Sequence, residues 1–249
     1  MKNSLCKKNY KITTRNWFNR WSNKYDQTLG RIGFHRELLD LVVRSSKVKD
    51  CDKVLDIGCG TGLLSLRLLQ KAGCSITGID ISEEMLAIFK GKIKESGLEQ
   101  KIESRLMDID SLNFKNNTFD AAVSSVVLHH LKDKPKALKK IYKLLKPGGL
   151  FVIGEVDMDS TGSHADTKRL QRMLRVLEQE WIPALRDAGV EAFAQMYSNG
   201  IKHILNQGEY CLSLKQWAAI CRKAGFSRVT IKRVPHYKCF GVVVAKKPG

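Results

Sequence analysis

Apolar and polar residues alternate along this chain with two different periods. Short runs rich in Val, Ile and Leu, bounded by glycine or acidic residues, are typical of buried strands, whereas apolar residues three and four apart are typical of amphipathic helices. Strands are predicted at 53–57, 75–80, 102–107, 119–125 and 150–156. Because helical stretches separate these strands, the pattern predicts a parallel α/β sheet.

Helical periodicity also extends beyond the strands. Helices are predicted at 13–26, 34–46, 63–71, 82–93, 135–145 and 213–224. After the fifth strand, residues 158–210 predict a helical lid with a kink at Pro183, since proline removes a helical hydrogen bond. Two final runs, 228–234 and 240–246, predict an antiparallel hairpin. We therefore expect an α/β fold with a seven-stranded, mostly parallel sheet and helices on both faces.

This order of elements divides the chain into four segments. We expect an N-terminal helical cap at 1–46, a cofactor-binding core at 47–157, a helical lid or substrate insertion at 158–210, and a final segment, 211–249, that completes the core. Hydrophobic residues make up 43% of the 249 positions, which is enough to bury the core of one large domain.

Composition argues against several classes of protein. No apolar stretch approaches the roughly 18 residues that a membrane span needs, and the lysine-rich N-terminus lacks the apolar segment of a signal peptide. The seven cysteines are an odd number without a C-x-x-C pair, which argues against a disulfide framework or a structural zinc site. We therefore expect a cytoplasmic protein with free thiols and no metal.

The net charge of +18 is concentrated outside the predicted core. Residues 1–50 and 158–249 each carry a net charge of +8, against +2 for residues 51–157. Basic flanks attract nucleic acid, anionic lipid or an anionic substrate. A lysine-rich surface without a partner explains the charge equally well, so the flanks leave these alternatives open.

The first strand runs into a glycine-rich turn that contains Gly58, Gly60 and Gly62. Glycine lets the backbone approach a ligand without interference from Cβ, and the helix that begins at Leu63 points its N-terminus into the same crevice. Asp80, at the end of the second strand, is placed to accept hydrogen bonds from ribose hydroxyls. These features predict an adenosine-type cofactor at the carboxyl ends of the strands.

The spacing of this turn distinguishes between two kinds of cofactor. Dinucleotide folds use G-x-G-x-x-G, whereas here the spacing is G-x-G-x-G and Leu63 stands where the last glycine of that pattern is needed. The carboxylate of Asp56, just before the turn, would repel a pyrophosphate but suits the ammonium group of a methionine moiety. Both points favour S-adenosyl-L-methionine (SAM) over NAD.

With these motifs in this order, residues 50–157 resemble the class I SAM-dependent methyltransferases. The similarity is to the small-molecule branch that includes the ubiquinone/menaquinone methyltransferases, known as methyltransferase type 11. It implies a Rossmann-like core and methyl transfer to a small-molecule acceptor. The segments that carry it are Val54–Gly62 (motif I), Gly78–Ser82 with Met85-Leu86 (second strand), Met107–Ile109 (adenine segment), Phe119–Leu131 and Leu144–Gly149.

The resemblance also implies which residues surround the cofactor. These are Asp56, Gly58, Cys59 and Gly60 at the methionine end and turn, Asp80, Ile81 and Met85 at the ribose, Asp108 and Ile109 at the adenine, and Ser125 at the end of strand four.

Methyl transfer from a sulfonium needs a positioned nucleophile and a means of removing its proton. His130 is the candidate base, because histidine titrates near neutral pH. Glu155 is the second catalytic candidate. Further substrate or lid candidates are Tyr25, His129, Asp157 and Tyr197.

Two alternatives to a small-molecule methyltransferase remain at this point. The basic flanks would suit an RNA methyltransferase, but the run Ser124-Ser125-Val126-Val127 lacks the N/D-P-P-Y/F motif that grips a flipped base. Nucleic acid is therefore the less favoured substrate. A SAM-binding protein without catalytic activity is the other alternative, since turnover is not visible in a sequence.

Overall fold

The computed structural model describes residues 2–205 and 209–249, with side chains from residue 12 onward. The strands are β1 (Lys53–Ile57), β2 (Ser75–Asp80), β3 (Ile102–Leu106), β4 (Phe119–Ser125), β5 (Leu145–Val156), β6 (Ser227–Arg233) and β7 (Phe240–Lys246). The helices are α1 (Lys2–Tyr25), α2 (Gly33–Ser46), α3 (Leu63–Lys71), α4 (Glu83–Glu95), α5 (Lys134–Leu144), α6 (Thr167–Leu205) and α7 (Leu214–Lys223).

All seven strands belong to one sheet, in the order β3-β2-β1-β4-β5-β7-β6. Strands β1 to β5 pair in parallel, and β7 runs antiparallel to both β5 and β6. The predicted fold class, a mostly parallel Rossmann-like sheet with an antiparallel terminal hairpin and a helical insertion after β5, is confirmed. The order reverses between β1 and β4, and open α/β sheets bind ligands at such a switch point.

Successive residues of each central strand face opposite sides of the sheet, as the pleat requires. Val54 lies in a core with α2, α3 and α4, whereas Leu55 lies in a second core with α5 and α7. Because both faces are covered, the strands are apolar without alternation, which is typical of buried parallel sheets.

Polar side chains mark the starts of three helices. Ser82 accepts a hydrogen bond from the Met85 amide at the start of α4, and Asp133 does the same for Lys136 at the start of α5. At α7, Ser213 and Gln216 form a reciprocal capping box. Ser82, the cap of α4, also donates its backbone amide to Asp80 at the end of β2.

The largest differences between the predicted and the observed elements are in α1, β5 and α6. α1 begins at Lys2 rather than at residue 13. β5 begins at Leu145 rather than 150, because the Lys-Pro-Gly-Gly segment that follows α5 is itself extended and Leu145 pairs with Phe119. In α6 the helical dihedrals break at Gly189 (φ 81°, ψ −173°), six residues beyond Pro183. Glycine tolerates this positive φ, so the helix is interrupted at Gly189.

None of the helices in the described part of the chain is long and apolar enough to span a bilayer. The four-segment division with boundaries at residues 46, 157 and 210 stays a prediction.

Candidate active site

An open cleft lies at the carboxyl ends of β1, β2 and β4, beside the switch point of the sheet. Its volume is about 840 Å³ when the solvent space at its open mouth is included. We call it the outer cleft. It is lined by Thr14, Phe18, Tyr25, Ile57, Gly58, Gly60, Ile79, Asp80, Ile81, Met85, Met107, Asp108, Ile109, Val126, Val127, Leu128, His130 and Leu131.

The glycine turn forms one wall of the outer cleft, and its three glycines meet different steric requirements. All three have positive φ (71°, 52° and 86° for Gly58, Gly60 and Gly62). A Cβ at Gly58 would lie 2.4 Å from Val127, and one at Gly62 would lie 2.1 Å from Phe89. A Cβ at Gly60 would meet nothing within 4 Å. Gly60 therefore leaves space where a ligand can approach the backbone.

Asp80 ends β2, the strand next to β1, and contacts the glycine turn directly. Its Oδ2 accepts from the Gly60 amide and its Oδ1 from the Ser82 amide, both at 2.9 Å. Each carboxylate oxygen can accept a second hydrogen bond. The predicted ribose acceptor therefore faces the cleft with remaining capacity.

The far end of the outer cleft contains the residues predicted for adenine and ribose. Ile81 and Met85 follow Asp80, and Asp108 and Ile109 follow β3. Asp108 caps the short turn after β3 by accepting from the Asp110 amide at 2.9 Å. The structure therefore brings seven of the ten predicted cofactor residues to one cleft: Gly58, Gly60, Asp80, Ile81, Met85, Asp108 and Ile109.

The other three, Asp56, Cys59 and Ser125, line a smaller turn cavity behind the glycine turn. Asp56 is buried and accepts from Ser65 Oγ at 2.6 Å, and burial raises its pKa to about 7. Cys59 is directed at β2, because its Sγ would lie 2.9 Å from a Cβ at Gly78. Ser125 Oγ is buried without a hydrogen-bond partner among the described residues. The turn cavity thus offers a polar group that a ligand can satisfy.

A second cavity, the inner chamber, adjoins the outer cleft and has a volume of about 580 Å³ when open solvent space is included. Phe18, Tyr25, Val126 and His130 line both spaces. The remaining walls are largely aromatic and aliphatic, with one polar end. They comprise Trp17, Trp21, Leu29, Phe34, His35, His129, Val156, Glu180, Met196, Asn199, His203, Glu209 and Phe240.

The C-terminal part of α1 closes over both spaces and is tied to the glycine turn. Asp26, just after α1, accepts from Thr61 Oγ1 at 2.6 Å and pairs with Lys92 Nζ at 2.5 Å. Lys92 also donates to the Thr61 carbonyl at 2.9 Å. These contacts join the end of the N-terminal helix, the glycine turn and α4.

Histidines and carboxylates form the polar end of the inner chamber. Glu209 Oε2 lies 3.1 Å from His129 Nε2, 3.1 Å from His130 Nδ1 and 3.5 Å from His203 Nδ1. Behind them, Glu155 Oε2 lies 2.7 Å from His129 Nδ1, and its Oε1 accepts from the His129 amide. We call His129, His130, Glu155 and Glu209 the histidine–carboxylate cluster.

The charges of this cluster are strongly coupled. Burial alone would lower the pKa of His129, but Glu155 and Glu209 outweigh it and raise that pKa to about 10. Burial opposes ionisation of Glu209, but His130 and His203 hold its pKa well below the usual range. Burial raises the pKa of nearby Glu180 to about 8. The cluster therefore concentrates buried charge beside the junction of the two cavities.

Three of the predicted substrate or catalytic residues take other positions. Glu155 is 1% exposed and contacts His129 rather than either space. Asp157 pairs with Arg233 at 2.5 Å and accepts from the Leu214 amide, which ties β5 to α7. Tyr197 is 46% exposed and packs against Trp181 and Phe193 on α6. None of the three is among the described residues that line the two cavities.

Phe18, Glu180 and Glu209 line the two cavities but were not predicted as site residues from the sequence. Phe18 belongs to an aromatic face of α1 that is equally typical of core packing. Glu209 approaches His129 only because the Tyr210 amide donates to the His129 carbonyl at 2.8 Å. No local motif predicts such a contact between distant segments.

Comparison with known proteins agrees with this geometry. Residues 55–153 match the family model described as a methyltransferase domain. The 2-phytyl-1,4-naphtoquinone methyltransferase of Nostoc punctiforme is 33% identical over 140 residues, which are 55% of this chain and 61% of that protein. The ubiquinone/menaquinone biosynthesis C-methyltransferase UbiE of Haemophilus ducreyi is 32% identical over 156 residues, 61% of this chain and 60% of that protein.

A solved structure is similar in fold over most of this chain. The Haemonchus contortus phosphoethanolamine N-methyltransferase 2 in complex with phosphomonomethylethanolamine and S-adenosylhomocysteine has a TM-score of 0.67 and 19% identity, covering 93% of this chain and 58% of that one. This chain spans less than two thirds of the curated relatives it matches. The predicted resemblance to a methyltransferase domain is confirmed for the matched segment, residues 55–153.

Proposed function

We propose that this chain is a methyltransferase that uses SAM to methylate a small, largely apolar acceptor. One observation carries the proposal: the outer cleft, with the glycine turn and Asp80, shares the wall residues Phe18, Tyr25, Val126 and His130 with a second, mostly apolar chamber. Two adjoining spaces suit a reaction between a cofactor and a second molecule. A protein that only bound SAM would need no inner chamber.

The residues present fit SAM in three independent respects. Gly60 leaves open space at the turn, Asp80 keeps acceptor capacity at the end of β2, and Ser125 Oγ is buried without a partner among the described residues. We propose that Asp80 accepts from the ribose hydroxyls, that Ile109 and Asp108 flank the adenine, and that the turn cavity receives the methionine end. When bound there, SAM supplies an activated methyl group on a sulfonium.

The chain's own contribution is orientation and exclusion of water. Trp21 and Phe34 are almost fully buried in the wall of the inner chamber, and α1 closes over it. An acceptor held against these rings has its reacting atom fixed near the junction, and such positioning accounts for much of the acceleration of a displacement reaction. His130 lines both spaces, and we propose that it contacts the acceptor's reacting group. Glu155 acts as a positioning residue through His129.

The inner chamber also favours a chemical class of acceptor. Its walls suit a flat apolar ring, and its polar end suits a hydroxyl or similar donor facing Glu209 and His130. The naming of both curated relatives as quinone-pathway methyltransferases supports a ring of this kind. We propose a hydroxylated aromatic acceptor. Anionic character of the acceptor stays a prediction from the positive flanks.

A two-stage experiment tests this function. Isothermal titration of the full chain should show one SAM per chain and no comparable binding of NAD. Release of S-adenosylhomocysteine is then measured with reduced menadione, a hydroxylated naphthalene, as the acceptor probe. We expect release to depend on the probe and to fall sharply in His130→Ala. The matched control, exposed His164→Ala, should behave like the wild type.

The same assays separate the two alternatives. Tight SAM binding with no turnover on phenol, quinol or amine probes would favour a non-catalytic SAM-binding protein. Bulk tRNA binding that persists at moderate salt, with methylation of that RNA, would favour the RNA substrate.

A further inference from the structure

Three donor atoms from two distant segments meet at the polar end of the inner chamber. They are His129 Nε2, His130 Nδ1 and Glu209 Oε2, and all lie within 4.8 Å of one another. The two histidines come from the turn after β4, whereas Glu209 lies between α6 and α7. The backbone contact from Tyr210 to His129 holds the second segment against the first. The donors are therefore brought together by the fold and not by a local loop.

The spacing of these atoms matches a metal site. The carboxylate oxygen is 3.1 Å from each of the two imidazole nitrogens. Zinc lies about 2.0–2.2 Å from nitrogen and oxygen donors in a tetrahedral arrangement, so its ligand atoms lie about 3.4 Å apart. Both carboxylate–imidazole distances are close to this spacing, and all three donor atoms lie within 4.8 Å of one another.

Glu155 adds an independent feature of metal-binding histidines. A carboxylate accepts hydrogen bonds, so its 2.7 Å contact places a hydrogen on His129 Nδ1. In the metal-free chain His129 Nε2 lies 3.1 Å from Glu209 Oε2 and carries the proton between them, and a bound metal ion would replace that proton. Metal-ligating histidines commonly donate their other ring nitrogen to a carboxylate in this way, which orients the ring.

We propose that His129 Nε2, His130 Nδ1 and Glu209 Oε2 form a binding site for a divalent transition metal of the Zn²⁺ type, oriented by Glu155. Two imidazoles and a carboxylate are donors that Zn²⁺ accepts. Three protein ligands leave a coordination position open, and it faces the inner chamber that these residues line. The sequence alone predicts no metal, because it shows neither a cysteine pair nor the approach of Glu209.

The experiment uses the full chain, stripped with a chelator, and Co²⁺ as a spectroscopic probe in place of Zn²⁺. We expect one Co²⁺ per chain, with visible bands of a four- or five-coordinate ion and no thiolate-to-metal charge transfer. Zn²⁺ should displace it. Glu209→Gln and His130→Gln should each lose at least tenfold in affinity, and Glu155→Gln about 10- to 100-fold.

Two controls match these variants. His35→Gln changes another buried histidine of the same chamber, and Cys211→Ser changes the buried thiol 3.4 Å from His203. Both should bind Co²⁺ like the wild type. Circular dichroism of each metal-free variant checks folding. If a variant fails to fold, the visible spectrum of Co²⁺ bound to the wild type decides whether the site exists.

Three outcomes would overturn the site: a thiolate charge-transfer band, unchanged affinity in both ligand variants, or no stoichiometric binding by the wild type. In the last case the cluster is a metal-free ion-pair network. The test contains neither SAM nor an acceptor, so its result is independent of methyl transfer.

Discussion

Replacing Asp80 with asparagine tests the assignment of the outer cleft to an adenosine cofactor. In the structure each carboxylate oxygen already accepts one backbone amide, from Gly60 and from Ser82, and retains capacity for one more hydrogen bond. Asparagine keeps the size of the side chain but replaces one acceptor oxygen with an amide NH2 group, which only donates. The variant therefore loses charge-assisted bonds to the ribose and also one of the two backbone hydrogen bonds that Asp80 accepts.

The expected loss follows from the hydrogen bonds removed. A hydrogen bond to a charged group contributes about 1.5–3 kcal/mol, and about 1.4 kcal/mol corresponds to a tenfold change in affinity. Asp80→Asn should therefore weaken SAM binding about 10- to 100-fold. Isothermal titration measures it directly, with the melting temperature of the ligand-free protein recorded alongside.

Asp50→Asn is the matched control. Asp50 also accepts from a glycine amide, that of Gly73 at 2.7 Å, but precedes β1 at the opposite edge of the sheet. It should leave SAM affinity unchanged. If Asp80→Asn binds SAM within twofold of the wild type while folding normally, the ribose assignment is wrong.

Three further predictions follow from the same region. Gly62→Ala should lower the melting temperature severely, because its Cβ would lie 2.1 Å from Phe89. Gly60→Ala, in open space, should cost only about 1–2 kcal/mol of stability for its positive φ but should weaken SAM binding. Equal effects of the two variants on melting temperature and on SAM affinity would contradict this. Asp26→Asn removes a charge that ties the end of α1 to the turn, so hydrogen exchange in residues 12–25 should accelerate and SAM binding weaken; unchanged exchange would refute the coupling. Burial raises the pKa of Asp56 to about 7 from an ordinary 3.8, so its ionisation costs stability increasingly as pH rises from about 4 to 7. Asp56→Asn should therefore be more stabilising at pH 8 than at pH 5, by up to about 3 kcal/mol in urea unfolding, and an equal effect at both pH values would count against the raised pKa.

Local patterns were sufficient to predict the sheet and the cofactor wall. The strands at 53–57, 75–80 and 119–125 have the same bounds in the sequence analysis and the structure, because a buried parallel strand is a short apolar run with polar ends. Gly60 and Asp80 were recognisable since the backbone of the turn and the end of β2 need those residue types locally. Propensity did not predict the early start of β5, where pairing with β4 extends a proline- and glycine-containing segment.

The inner chamber was only partly predictable. His129 and His130 stand out in the sequence, but Glu209 joins them through a tertiary contact between segments far apart in the chain. Tyr197 looked like a lid residue because it lies in the helical insertion, yet the rotation of α6 about its axis turns it outward, where it is 46% exposed. Periodicity predicts that a helix exists. Which side of a helix faces the core, when apolar residues are spread around its axis, depends on the elements that it packs against.

A crystal structure of the full chain with S-adenosylhomocysteine would test most directly the claim that the outer cleft binds the cofactor. The account predicts the ribose hydroxyls within hydrogen-bonding distance of the Asp80 carboxylate, the adenine beside Ile109, and the sulfur directed at the junction formed by Phe18, Val126 and His130. Binding of the ligand away from the outer cleft, or with its sulfur turned from the inner chamber, would contradict the proposed methyl transfer.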